Sequence, residues 1–281
     1  MSRIVYVDGQ YLPEEDAKVS VFDRSFLFAD GVYEVTSVLD GRMIDNDAHL
    51  ARLRRSLAEL KLDFPMSDAE IAASQQEVID RNELVEGALY LQVSRGAADR
   101  DFAFPNAPEP VLVMFTQARK LADNPAAARG ISVITVPDIR WRRRDIKTVQ
   151  LLYPSMAKQQ ALDEGADDAW LVEDGFVTEG TSNNAWIVKG GKLITRQLSN
   201  DILHGITRVA ALRLANEDAV EIEERPFTVE EALAADEAFV TSATTFVMPV
   251  VRINGEPVGN GNPGSVTLRL RQLYIEMARQ G

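Results

Sequence analysis

The sequence contains no cysteine, which excludes disulfides, thiolate metal sites and cysteine nucleophiles together. It has two histidines, His49 and His204. That is too few for a histidine-rich metal centre, so no metal is expected, and a Ser-His-Asp triad would have to use one of these two. Positive charge is the scarcer sign, with 30 Lys and Arg against 43 Asp and Glu and a formal net charge of −13. Nucleic acids and anionic membranes are bound through basic patches, so neither is an expected partner. No apolar run reaches membrane-spanning length. The most apolar stretch, Ala238 to Val251, is broken by Thr241, Ser242, Thr244, Thr245 and Pro249. Near the N-terminus the apolar run Ile4 to Val7 is too short for a secretory signal core. With cysteine absent as well, the expectation is a cytoplasmic chain. Repeats and low-complexity tracts are also missing. What is present is an ordinary globular composition, 46% hydrophobic and 26% charged, over 281 residues. That length suits two closely packed domains.

Strand patterning opens the chain. Arg3 to Val7 reads as a short strand, and Gly31 to Leu39 and Arg42 to Ile44 read as two more around Asp40-Gly41. Asp-Gly between apolar runs predicts a tight hairpin, because both turn positions need positive φ. A helix follows, with Asp47 as its expected N-cap and Leu50, Leu53, Leu57 and Leu60 on one stripe. Ser67 is the expected cap of a second helix running to about Asp80, and strands over Ala88 to Arg95 and Pro110 to Gln117 complete a small α/β domain, residues 1–119. Residues 120–129 (KLADNPAAAR) have no strand period and contain Asn124-Pro125, the expected interdomain linker. The larger domain, 130–281, reads as mixed sheet with hairpin turns at Asp174-Gly175 and Gly190-Gly191. Helices are expected over Tyr153 to Glu164, Thr207 to Asn216, Thr228 to Ala234 and Ser265 to Gln280. Further strands are expected over Ile131 to Val136, Glu237 to Thr241 and Pro249 to Ile253. Hairpins in such number argue for an α+β architecture and against a Rossmann domain. The glycine-rich run Val258 to Gly264 lacks the Lys-Ser/Thr of a phosphate loop.

Four segments hold residues with chemical potential. In Arg140 to Lys147 (RWRRRDIK) a lysine lies beside a cluster of cations and an apolar sequence, the neighbourhood in which an amine acts as a Schiff-base nucleophile. A surface lysine paired with Asp145 is the plainer alternative. Val177 to Asn184 (VTEGTSNN) places Glu179 among small polar residues, either as a carboxylate for a heterocyclic nitrogen or as part of a polar loop. Leu203 to Arg208 (LHGITR) leads into a helix whose first N–H groups, at Ile206 and Thr207, suit an anion; a simple helix start is equally consistent. His49 and Arg52 lie three apart on one helix, beside the leucine stripe.

These segments occur in an order that resembles the fold-type IV pyridoxal-phosphate enzymes, and among them the D-amino-acid aminotransferases. The resemblance covers nearly the whole chain. It includes DRSFLFADGVYEV (Asp23 to Val35), HLARL (His49 to Leu53), LQVSRGAADRDFAFP (Leu91 to Pro105), DIKTVQLL (Asp145 to Leu152), TEGTSNN (Thr178 to Asn184), LHGITR and VTSATT (Val240 to Thr245). It implies a small N-terminal α/β domain and a larger mixed-sheet pseudo-barrel domain that binds pyridoxal phosphate. Lys147 then matches the lysine that forms a Schiff base with the cofactor, and Glu179 the carboxylate that pairs with its pyridine nitrogen. Arg52 matches the phosphate-binding arginine, with Ile206, Thr207, Ser242 and Ala243 assisting, and Leu203 lies against the ring. Tyr33 matches an active-site tyrosine. Arg100 matches the arginine that takes the substrate α-carboxylate across a homodimer interface. The implied reaction is ping-pong transamination between a D-amino acid, D-alanine in type, and a 2-oxo acid of the 2-oxoglutarate type. One departure is plain: family members commonly carry Arg-x-His, and here the run is Arg100, Asp101, Phe102. A branched-chain L-amino-acid aminotransferase, an (R)-amine transaminase and an aminodeoxychorismate lyase remain alternatives on the same fold. A cofactor-free binding protein is the alternative of another class, and retention of Lys147, Glu179 and Arg52 together speaks against it.

Overall fold

Tight turns and one amphipathic helix pair account for the first part of the chain. The computed structural model describes residues 2–280. It divides into two compact units, one running to Lys120 and adding Ile146–Gln150, the other comprising Leu121–Asp145 and the chain from Leu151 on.

The first unit is a six-stranded sheet of β1 (Ile4–Val7), β2 (Gln10–Pro13), β3 (Gly31–Leu39), β4 (Arg42–Met43), β5 (Glu86–Ser94) and β6 (Val111–Ala118). Their order is β2-β1-β6-β5-β3-β4, with every neighbouring pair antiparallel. Asp40 and Gly41 take φ of 53° and 74°, the positive values their turn requires. Helices α1 (Arg24–Phe28), α2 (Asn46–Glu59) and α3 (Asp68–Arg81) complete the unit. Leu50, Leu53 and Leu57 of α2 and Ile71, Val78 and Ile79 of α3 bury against Val32, Val38, Leu89 and Leu91 of the sheet. The expected cap of α2 is corrected by the structure. Asp45 holds the N-cap position at φ 53° without a side-chain capping bond, and Asp47 lies in the first turn, where its charge complements the helix dipole. Ser67 caps α3 as expected, in a capping box with Glu70.

The second unit contains β7 (Ile131–Pro137), β8 (Asp168–Glu173), β9 (Phe176–Gly180), β10 (Asn184–Lys189), β11 (Lys192–Thr195), β12 (Ile222–Glu224), β13 (Glu237–Ser242), β14 (Phe246–Ile253) and β15 (Glu256–Pro257). Its helices are α4 (Pro125–Arg129), α5 (Leu152–Asp163), α6 (Ile206–Glu217), α7 (Val229–Leu233) and α8 (Ser265–Gln280). The main path of the mixed sheet is β12-β11-β10-β13-β14-β7-β8-β9, and β15 pairs with β14. Strand β9 at one end joins β10 through residues 181–183. On a flat sheet these strands would stand five spacings apart, about 24 Å. The connecting residues reach about 14 Å at full extension. The sheet therefore curls, as the pseudo-barrel expectation requires.

Two features differ from the domain plan read in the sequence. Residues 120–129 form packed structure of the second unit from Leu121 on, where Leu121 is fully buried and Asn124 caps α4 through its bond to the Ala126 N–H. The Lys147 segment belongs to the first unit. Strand β4 covers β3 at Val38 and Leu39 alone, so the edge at Gly31–Tyr33 stands open beyond it. Residues 147–149 fill that edge: Tyr33 N–H donates to Lys147 O (3.0 Å) and Val149 N–H to Gly31 O (3.1 Å).

Candidate active site

In the first unit, Lys147 is half-buried, its N–H donates to Ser56 Oγ of α2 at 3.3 Å, and its Nζ stands 4.2 Å from the centroid of the Tyr33 ring. Tyr33 in turn stacks on Tyr90 (5.6 Å, 21°), which stacks on Phe115 (4.7 Å, 20°). An aromatic face attracts a cationic amine through its ring quadrupole, which holds the Lys147 amine in place. On the opposite face of β3, Glu34 joins two residues of α2. Arg52 donates from Nε and Nη2 to the two Glu34 oxygens (2.8 and 2.7 Å), and His49 Nδ1 lies 2.7 Å from Oε2. Burial pushes the His49 pKa down, partly opposed by Glu34. An ionised Glu34 can only accept, so the neutral His49 donates from Nδ1 and its Nε2 is the acceptor nitrogen. Sequence reading placed His49 and Arg52 on one face and missed Glu34. The missed signal was a lone carboxylate in an apolar strand, on the same side as Val32 and Val38.

Arg100 and Phe102 lie in the loop after β5. Arg100 is exposed, with its guanidinium 5.5 Å from the Phe28 ring centroid and 5.7 Å from that of Phe102, and Phe102 is 80% exposed. Asp101 does not turn its charge on Arg100: its carboxylate accepts the Ala103 N–H at 3.0 Å.

In the second unit, Glu179 is the last residue but one of β9, with 4% exposure. Arg140 Nη1 donates to its Oε1 (2.7 Å), while Asn184 Nδ2 (3.2 Å) and the Leu203 N–H (3.0 Å) donate to Oε2. Arg140 also grips Asp138 from Nε and Nη2 (2.9 and 2.7 Å), and Thr178 Oγ1 donates to Asp138 at 2.7 Å. Burial would raise the Asp138 carboxyl, but the Arg140 and Arg144 charges hold it below its ordinary value. Burial would likewise lower Arg140, and the charges of Glu179 and Asp138 keep it raised and fully cationic. Neither Arg140 nor Asp138 was singled out from the sequence. The cations of the RWRRRDIK run serve carboxylates: Arg143 pairs with Asp145 (3.0 Å) and Arg144 with Glu173 (2.8 Å).

The other expected cofactor residues also lie in this unit. Asn184 Nδ2 donates to Leu203 O at 3.0 Å, fixing the loop that leads to Gly205. Gly205 caps α6 without a side-chain bond, and the buried Thr207 follows Ile206 in the first turn. Its leading N–H groups thus have no side-chain acceptor from the cap, which fits a phosphate. Ser242 Oγ lies 2.8 Å from Thr245 Oγ1, and Ala243 follows it in the turn between β13 and β14, held where Arg271 Nη1 donates to Thr245 O (2.8 Å). The groups present thus fit pyridoxal phosphate by kind: an amine over an aromatic face, a buried carboxylate fixed by arginine, and a helix start whose cap residue gives it no side-chain bond. Among the described residues no cluster of His, Cys, Asp or Glu could hold a metal ion, and no helix is long and apolar enough to cross a membrane.

The family model for Amino-transferase class IV matches residues 31–253. A D-alanine aminotransferase of Bacillus licheniformis is 39% identical over 263 residues, covering 94% of this chain and 93% of that one. Among solved structures, a branched-chain amino acid aminotransferase of Escherichia coli superposes with a TM-score of 0.91 at 22% identity, covering 99% and 95% of the two chains. A branched-chain amino acid aminotransferase of T.th., solved with pyridoxamine 5'-phosphate, gives 0.89 at 26% identity, covering 99% and 94%.

Proposed function

Because the chain belongs to the class IV aminotransferases, we propose that it moves the amino group of a D-amino acid, D-alanine in type, to a 2-oxo acid of the 2-oxoglutarate type, with Lys147 bonded to pyridoxal phosphate. The observation that carries the D-amino-acid reading is the 39% identity to a D-alanine aminotransferase over nearly the full length of both chains. The likeness to branched-chain enzymes at 22–26% identity supports the shared fold.

Pyridoxal phosphate, when bound, supplies an electron sink for the bond broken at the substrate Cα. In this reading Glu179 faces the pyridine nitrogen and favours its protonated form. Arg140 supports that role by keeping a full positive charge against the carboxylate, and the bonds from Asn184 and Leu203 N–H fix its direction. Lys147 would move the proton at the substrate Cα, taking it as a base and returning it as an acid. Arg52, Ile206, Thr207, Ser242 and Ala243 would hold the phosphate, and Leu203 would lie against the ring. Glu34 supports Arg52 by fixing its guanidinium bidentately. Tyr33 holds the Lys147 amine over its ring and borders the substrate. Arg100 takes the α-carboxylate, with Phe102 beside it, in a cytoplasmic homodimer that brings this loop to the neighbouring subunit's site.

Borohydride reduction of the yellow holoprotein, followed by peptide mapping, should leave a pyridoxyl group on Lys147. A map with that group elsewhere rejects the assignment. A panel of D- and L-amino acids and (R)-amines against one 2-oxo acid tests the substrate; turnover of L-leucine with none of D-alanine would reverse the stereochemical reading and leave the cofactor assignment standing.

A further inference from the structure

The loop over residues 96–110 carries Arg100 and contains no helix and no regular strand. Loops of this length are ordinarily loose, yet this one is gripped from beneath by two buried arginines. Arg24, 3% exposed, and Arg95, 2% exposed, share one carboxylate oxygen: Arg24 Nε and Arg95 Nε donate to Asp30 Oδ2 at 2.7 and 2.8 Å. Arg95 also donates from Nη1 to Lys61 O (3.2 Å) and from Nη2 to Leu60 O (2.8 Å). Arg24 spends Nη1 on Asp101 O (2.7 Å) and Ala103 O (3.3 Å), the two carbonyls flanking Phe102. Aromatic rings alternate with these cations. Phe104 lies 3.7 Å from the Arg95 guanidinium and 5.7 Å from that of Arg24. Phe28 lies 4.5 Å from Arg24 and 5.5 Å from Arg100, and its ring meets Phe102 at 5.5 Å. The sequence of contacts is Arg95, Phe104, Arg24, Phe28, Arg100. One carboxylate between two buried guanidinium groups leaves an excess positive charge, which the ring faces and the loop carbonyls accommodate.

We propose that Arg24 and Phe28 are positioning residues for the substrate carboxylate, clasping the loop of residues 96–110 so that Arg100 is held through an aromatic stack. Phe102 belongs to that stack and does not substitute for a hydrogen-bond donor. A planar fork is needed at position 24, because one guanidinium must reach Asp30 sideways and two carbonyls end-on; an ammonium retains the charge and loses that geometry. The inference rests on the reading of Arg100 as the carboxylate-binding residue.

The experiment compares Arg24→Lys, Phe28→Leu, Phe28→Tyr and Arg100→Ala holoenzymes by steady-state kinetics with D-alanine, by cofactor affinity and by amide hydrogen exchange. Arg24→Lys and Phe28→Leu should raise KM for D-alanine by about tenfold, change kcat by less than about twofold, and leave cofactor affinity unchanged. Both should speed exchange within residues 96–110, while Phe28→Tyr, which restores a ring face, should return KM and exchange to the wild-type values. Unchanged loop exchange in both variants overturns the proposal, as does a matching loss of cofactor affinity and kcat, which would mark a general structural defect. If Arg100→Ala leaves KM for D-alanine unaltered, the carboxylate reading itself is wrong, and the clasp loses its link to substrate even where loop exchange responds.

Discussion

Glu34 offers a quantitative test of the buried charge cluster behind the proposed phosphate site. It is 1% exposed and receives two bonds from Arg52 and one from His49. Burial by itself would raise its pKa, but the Arg52 charge and the bonds from Arg52 and His49 outweigh that and hold it at about 2 against an ordinary 4.5. A depressed folded value gives stability that is present in full above the unfolded value and is lost as pH falls from about 4.5 toward about 2. Over that interval the difference amounts to about 3 kcal/mol. His49 works in the same direction. Burial depresses its pKa below 6.5, so on acidification the unfolded chain takes up that proton first and the native state loses ground. Glu34→Gln keeps the shape, removes the charge and strands the Arg52 cation, at a cost of about 3–5 kcal/mol near neutral pH. Urea unfolding of cofactor-free wild type and variant, at about pH 7 and about pH 3, measures both quantities. The gap between the two proteins should be large at the higher pH and shrink at the lower. Pairing Glu34→Gln with Arg52→Met should recover part of the loss, because the stranded charge is then gone. A gap below about 1 kcal/mol, or one that does not change with pH, would refute the reasoning.

Three shorter tests follow from other parts of the chain. Gly96→Ala places a Cβ 1.8 Å from Glu109 O at φ 88°, so thermal melts should show a loss above about 2 kcal/mol. Ser67→Ala removes the side-chain half of the α3 capping box and should cost about 1 kcal/mol in chemical denaturation, with activity retained. Glu179→Gln should still bind cofactor, measured by absorbance, but lower kcat by about a hundredfold or more; near wild-type turnover would remove Glu179 from its proposed role.

The local chemistry of the fold was legible wherever one segment decides the outcome. Asp174-Gly175 and Gly190-Gly191 take the positive φ their composition asks for, and Ser67 caps its helix. The leucine stripe of α2 buries from Leu50 to Leu57. The hairpin at Asp8-Gly9 carried the same signal, with φ of 44° and 88°, but its return strand, Gln10–Pro13, is too short to show an alternation. What could not be read were pairings between distant segments. Nothing near Lys147 says that its backbone closes the open edge of β3, because that edge exists only as a consequence of β4 stopping short. The clasp on the Arg100 loop is hidden in the same way: Arg24 and Ala103 are far apart in sequence and meet only after β3 and β5 have paired along their whole length.

The arginine run before Lys147 does something other than its linear order suggests. Read linearly, RWRRRDIK suggested cations that act on the neighbouring lysine amine. In the folded chain Arg140, Arg143 and Arg144 are committed within the second unit to Asp138, Glu179, Asp145 and Glu173, while the lysine is counted with the first. Buried carboxylates are costly unless paired, and Glu179 and Asp138 lie side by side on one guanidinium. Arg140 therefore serves Glu179, where the linear run had suggested service to Lys147: it holds the carboxylate at one place and angle. For the proposed chemistry that is the more demanding task. A lysine amine that moves protons has to be mobile, whereas a carboxylate that faces a pyridine nitrogen has to keep one position through every turnover, which three donated bonds secure for Glu179.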